Sequence, residues 1–243
     1  MKERLDRILI ERGLVSSRER ARALIMEGKV LVDNRPVTKA GEMVSADAAI
    51  GLRGGDIPYV SRGGLKLEAA LDHFAIEPVG MTVMDVGSST GGFTDCMLKR
   101  GAQKAYCIDV GYGQLAWSLR NDPRIVLLER TNIRHLEKEK IPDPVDFATI
   151  DLSFISLTKV FAKVAEFLRD RGLILALIKP QFEVGKGEVG KGGIVRDEGK
   201  RMTTVNSVRD FAEALGLETI GVFPSPVPGQ KGNLEYFLCV KKP

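Results

Sequence analysis

Seven apolar runs of strand length recur after residue 81: TVMDVG, AYCIDV, RIVLLE, DFATIDLSF, GLILALIK, ETIGVF and EYFLCVKK. Stretches with helical spacing separate most of them. Strands alternating with helices predict a parallel sheet covered on both faces. The last two runs are joined only by SPVPGQKGN, too short for a crossover helix, so the final strand should pair antiparallel with its predecessor. The expected fold class is α/β: a seven-stranded, mostly parallel, Rossmann-like sheet ending in an antiparallel hairpin.

The first part of the chain reads differently. Leu5, Ile8 and Leu9 share one helical face in RLDRILIERG. SSRERARALIMEG opens on serine caps and closes on Gly28, and KVLVDNRPV reads as a hairpin turning at Asp33 and Asn34. The expected organisation is a small α+β domain over 1–56, a linker over 57–64 and the α/β domain over 65–243.

Composition adds exclusions. A hydrophobic fraction of 44% in 243 residues permits an ordinary globular core. No apolar run approaches the roughly 18 residues of a membrane helix, and MKERLDRILIERG lacks the apolar centre of a signal peptide, so a cytoplasmic protein without a membrane partner is expected. Cys96, Cys107 and Cys239 lack CxxC or metal-ligand spacing; they read as buried thiols in a reducing compartment, with no metal. A net charge of +4 permits a nucleic-acid partner without demanding one. Within the first domain, Arg4, Arg7, Arg18, Arg20, Arg22 and Lys29 are crowded together, but Glu3, Asp6, Glu11 and Glu19 interleave with them as on a solvated surface. The order of features tips the balance. RLDRIL, SSRERARALIMEGKVLVDN and RPVTKAGEMVSADAAI resemble the small RNA-binding domain first named from ribosomal protein S-four. That resemblance implies that these basic residues lie at or near an RNA-facing surface, positioning the domain on phosphates rather than reading bases.

MDVGSSTGGFTD follows the first strand of the α/β domain and leads into a helix. Asp85 stands at the carboxyl end of that strand, where open α/β sheets bind ligands, and the glycines let backbone approach one closely. The spacing is DxGxxxGGF rather than the dinucleotide GxGxxG, which fits S-adenosylmethionine, a ligand without a pyrophosphate. Asp85, Gly87, Ser88, Thr90, Gly91, Gly92 and Phe93 are the expected contacts, with Asp109 at the second strand end for the ribose and Asn132 at the third for the adenine.

Four ionisable residues occupy places a core would not request. Lys66 lies on the helix before the first strand, Asp151 follows the fourth strand, Lys179 closes the fifth before Pro180, and Glu235 precedes the last. All four can converge at one sheet edge, where a lysine among carboxylates can orient a poorly nucleophilic hydroxyl and take its proton. With DVGSSTGGF and DLSFISL, they look like the K-D-K-E tetrad of the FtsJ-like ribose 2′-O-methyltransferases, and the whole chain, VSRGGLKL included, resembles the TlyA family, also called haemolysin A. The resemblance implies a class I methyltransferase fold and 2′-O-methylation of cytidine in ribosomal RNA. It also implies that Lys179 is the catalytic lysine, that Asp151 and Glu235 tune it, and that Lys66 positions the substrate. Ribosomal RNA or a ribosomal subunit is the implied partner, a monomer is favoured, and the short ends favour the large subunit alone. A cytolysin or a non-catalytic RNA-binding protein are the alternatives.

Other features are decoys on this reading. Glu183 ranks below Asp151 and Glu235, and His73 and His135 have no partner carboxylate at a telling spacing. GKGEVGKG, residues 185–192, nearly matches both a dinucleotide loop and a Walker loop, yet it follows the fifth strand, lacks the hydroxyl at Gly192, and reaches a helix only near Asp197. It reads instead as a rim that meets RNA phosphates through Lys186 and Lys191, with Arg62 on the same substrate side.

Overall fold

The computed structural model describes every residue except Met1, Ser16, Gly54, Gly55, Asp56, Lys186, Lys191, Gln230 and Lys231; the expected phosphate contacts Lys186 and Lys191 therefore lie outside the described residues. The chain divides into two units, Met1–Pro58 and Tyr59–Pro243.

In the first unit, β1 (Lys2–Arg4) runs into α1 (Leu5–Glu11), followed by α2 (Arg18–Met26), β2 (Val30–Val32), β3 (Arg35–Val37), β4 (Met43–Ser45) and β5 (Ile50–Leu52). Ser17 caps α2 by accepting the Arg20 amide at 3.1 Å. The β2–β3 hairpin turns at Asp33 and Asn34, both with positive φ, as a twisted two-residue hairpin requires. Two features escaped the pattern: β1 pairs antiparallel with β4, and β5 adds a third strand beside β2. Leu5, Ile8, Leu9, Ala21, Leu24, Ile25 and Val30 form the core.

The second unit contains α3 (Gly63–Phe74), β6 (Thr82–Val86), α4 (Gly92–Lys99), β7 (Lys104–Ile108), α5 (Trp117–Arg120), β8 (Ile125–Leu128), β9 (Val145–Ile150), α6 (Phe161–Phe167), β10 (Leu168–Ile178), α7 (Pro180–Glu183), α8 (Glu198–Ala214), β11 (Glu218–Pro224) and β12 (Tyr236–Lys241). Its seven described strands form one sheet in the order β11-β12-β10-β9-β6-β7-β8. Neighbours from β10 to β8 are parallel, while β12 is antiparallel to β10 and β11. The expected closing hairpin is present, with its second strand inserted between the first and the parallel block.

Side chains alternate across the strands and both faces are covered, hence the continuous apolar runs. Ile174, Ala176 and Ile178 of β10 join Val164 of α6 and Val205 and Val208 of α8 in one core, whereas Leu175 and Leu177 join Leu67 and Leu71 of α3 and Cys96 and Met97 of α4 in the other. Cys96, Cys107 and Cys239 are buried free thiols, and burial pushes Cys96 and Cys239 up to about 12. Among the described residues, no helix is long and apolar enough to cross a membrane.

Most of the stretch expected to link the domains belongs to the second unit. Tyr59 is buried in the core with α3, its hydroxyl donating to Glu68 at 2.6 Å, and the Val60 amide donates to Asp95 at 2.8 Å. The reason is steric fit: Tyr59 lies where a Cβ on Gly64 would be, only 2.2 Å from the ring. Gly64→Ala should therefore cost about 1–3 kcal/mol by overpacking and lower the thermal midpoint by several degrees; an unchanged melting curve would mean that this segment is not seated in the fold.

Candidate active site

Four strand ends build the site. Val86, Ile150 and Ile178 end β6, β9 and β10 at one edge, so Gly87, Asp151 and Lys179 emerge there together. β12 runs the opposite way, with Tyr236 opposite Ile178, so the residue before it, Glu235, arrives at the same edge.

Lys66, Asp151, Lys179 and Glu235 all line one cleft of about 440 Å³, together with Gly87, Ser88, Gly92 and Phe93. The charges are arranged as two ion pairs. Lys66 Nζ lies 2.6 Å from Glu235 Oε2, with side chains 12% and 2% exposed, and Lys179 Nζ lies 2.6 Å from Asp151 Oδ1 and donates to Ser153 Oγ at 3.0 Å. Glu235 thus engages Lys66, not Lys179 as expected, because the start of β12 faces the first turns of α3.

The glycine turn is shaped by close approach. Gly87 has φ +89, and a Cβ there would meet the Asp151 carbonyl oxygen at 2.6 Å. Gly91, at φ 92, begins α4 from behind the turn and lines neither this cleft nor the smaller one beside it. Asp85 reaches the cleft wall, but its carboxylate, 1% exposed, is committed inward: it accepts from the Thr94 amide at 3.0 Å, Thr94 Oγ1 at 2.6 Å and Thr149 Oγ1 at 3.1 Å. Burial pushes Asp85 up to about 6, with the nearby Asp151 charge adding to the rise and the Thr94 and Thr149 bonds opposing it.

Asp109 and Asn132 line a smaller, mainly apolar cavity of about 190 Å³ with Ile108, Ile133, Leu152 and Ile155. Asp109 also braces loops, accepting the Ser89 and Gly111 amides at 2.7 Å each. Asn132 accepts the Arg134 amide at 3.1 Å. Thr90 lies on the wall of the larger cleft and accepts the Ala116 amide through its carbonyl.

Residues 59–242 match the FtsJ-like methyltransferase family and residues 3–50 the S4 domain. The chain belongs to the FtsJ-like methyltransferase family. It is 48% identical to a Mycobacterium tuberculosis protein named 16S/23S rRNA (cytidine-2′-O)-methyltransferase TlyA, over 98% of this chain and 89% of that one. It is 40% identical to Hemolysin A of Brachyspira hyodysenteriae, over 96% of this chain and 97% of that protein. A solved Streptococcus thermophilus structure described as a hemolysin superposes with a TM-score of 0.78 at 40% identity, covering 99% of this chain and 88% of that one.

Several residues of this FtsJ-like cleft were not anticipated. Gln181 presents a buried Oε1 without a hydrogen-bond partner among the described residues, and so does Ser88, itself an expected contact, through Oγ. Phe154, 89% exposed at φ 64, packs against Phe182 at 4.7 Å beside Ser153. DLSFISL and KPQFE carry Phe154, Gln181 and Phe182, but residue type alone does not separate a lining position from a neighbouring core one. Glu183 accepts the Leu157 amide at 2.8 Å and lies outside this cleft. His73 stacks on Phe223 at 4.2 Å. Among the described residues, no group of His, Cys, Asp and Glu could hold a metal.

The basic residues of the S4 unit are mostly paired. Arg7 meets Glu11 at 2.6 Å, Lys29 meets Glu27 at 2.7 Å, and Arg4, Arg18 and Arg22 converge on Asp6. In the α/β unit, Arg62 donates to the Pro228 carbonyl at 2.9 Å on the cleft wall.

The buried Asp85 predicts a pH effect. Its carboxyl binds its proton more tightly folded than unfolded, so its contribution to stability is complete below about pH 4 and lost as pH rises through about 6. Asp85→Asn should reduce the fall in unfolding free energy between pH 4 and 7 by about 2 kcal/mol, measured by urea denaturation; equal falls in both proteins would remove Asp85 as the cause.

Proposed function

We propose that the chain transfers a methyl group from S-adenosylmethionine to the ribose 2′-hydroxyl of a cytidine in ribosomal RNA. The observation that carries this reading is the meeting of two lysine–carboxylate pairs in one cleft, beside a glycine turn shaped for close approach. When bound, S-adenosylmethionine supplies an electrophilic methyl group on a sulfonium centre. The residues present fit such a ligand. Ser88 Oγ and Gln181 Oε1 are buried and want polar partners, which the methionine end of the ligand carries. The adjoining cavity sets aliphatic walls beside Asp109 and Asn132, a match to a purine with its ribose hydroxyls at a carboxylate. Asp85 serves from within, holding the start of α4 against β9 so that the glycine turn keeps its shape.

On the substrate side, Lys179 is held by Asp151 and Ser153 and meets the 2′-oxygen. The pair orients that oxygen, and Lys179, having first given up its own proton to solvent, would take up the hydroxyl proton as the C–O bond forms and the methyl–sulfur bond of the donor breaks to leave a thioether. Lys66, locked to Glu235, positions the nucleotide from α3. Arg62 and the basic residues of the S4 unit bind RNA phosphates, which suits a protein acting on ribosomal subunits in the cytoplasm as a monomer.

Lys179→Ala should lower methyl transfer to ribosomal RNA by at least about 100-fold while labelled S-adenosylmethionine still binds; near-wild-type turnover would exclude the assigned role. Replacing Arg18 and Arg22 together by Ala should weaken binding to ribosomal RNA and reduce the slope of log K against log salt by about 2. An unchanged slope would take these two arginines off the RNA interface.

A further inference from the structure

Asp6, in the first turn of α1, has a fully buried side chain. A buried carboxylate is costly unless it is paired and hydrogen-bonded. Arg4 donates through Nε to Oδ1 at 3.0 Å and through a terminal nitrogen to Oδ2 at 2.9 Å. Arg18 and Arg22, one turn apart on α2, donate through Nε to Oδ2 at 3.1 and 3.4 Å. The Arg4 and Arg18 bonds hold the Asp6 carboxyl well below the usual carboxylate range, the Arg4 bond most of all. The three arginines nevertheless remain 43%, 53% and 50% exposed. One buried anion therefore gathers three cations whose outer parts reach solvent, and without it like charges brought this close would repel one another.

We propose that Asp6 is the positioning residue of the RNA interface: it touches no RNA, but fixes Arg4, Arg18 and Arg22 as one preorganised phosphate-gripping face. This rests on the RNA-facing reading of the unit given above. Fixing the guanidinium groups in advance removes the cost of ordering long side chains during binding.

Binding of the full chain to purified ribosomal RNA, measured over a salt series, tests the role with Asp6→Asn. Charge counting alone predicts tighter binding, because an anion leaves a cationic face. Positioning predicts the reverse, a Kd raised about ten-fold, the scale of re-ordering two or three long side chains. Unchanged or tighter binding overturns the proposal. Folding is separated by repeating the substitution where Arg18 and Arg22 are already Ala: there Asp6→Asn should add no more than about three-fold, through Arg4. A loss as large as in the wild-type background places the effect in folding and also overturns the proposal. If the Arg18→Ala, Arg22→Ala protein binds as wild type, the RNA-facing reading fails and the role of Asp6 falls with it. If that protein binds weakly while Asp6→Asn does not, the role of Asp6 alone is overturned.

Discussion

The candidate site depends on the direction of one strand. β12 is inserted between β10 and β11 and runs against both, with Tyr236 opposite Ile178. Glu235 therefore enters at the edge where Lys179 leaves. Had β12 run parallel, its first residue would lie at the far edge of the sheet, about 20 Å away for a strand of this length. The strand is held by a ladder on each side and by Phe237, Leu238, Cys239 and Val240, all fully buried. Apolar packing thus fixes where a charge stands.

That placement matters because ions at a sheet edge are expensive to desolvate. Lys66 and Glu235 are nearly buried, and either would be a liability alone. Pairing resolves the cost and leaves both side chains with little freedom. Carboxylates repeat the device elsewhere in the chain. Asp85 bridges α4 to β9, Asp109 bridges two loops, and Glu183 holds the segment after Asp151. Several acidic residues that look chemical in the sequence act as braces for backbone, and the ones left facing the cleft are those matched with lysines.

Architecture was the most legible part of the sequence. A strand covered on both faces is mostly apolar rather than alternating, so β6, β7, β9 and β10 announce themselves, and the short SPVPGQKGN connection forces an antiparallel return. The neighbours of β12 were not legible, because strand order leaves no periodic trace. Lys66, Asp151, Lys179 and Glu235 could be singled out because a charge abutting an apolar run is conspicuous, but their partnership depends on register and α3, so the Glu235–Lys66 pair was missed. Gln181 was invisible for another reason: its distinction is a buried amide oxygen with no partner among the described residues, a property of surroundings rather than of residue type. Tyr59 falls in the stretch that reads as linker beside the change in composition near residue 56, whereas Gly64 admits its ring to the core.

The Lys66–Glu235 contact joins residues 169 positions apart. Contacts of such long range form late, since a large loop must close before they contribute. Lys66 precedes β12 by most of the α/β unit in the sequence, so during synthesis it has no Glu235 to pair with until β12 has been made. Completion of the cleft is thereby tied to the synthesis of β12: a chain that stops short of residue 235 can carry the glycine turn and Lys179, yet lacks the anion that anchors Lys66.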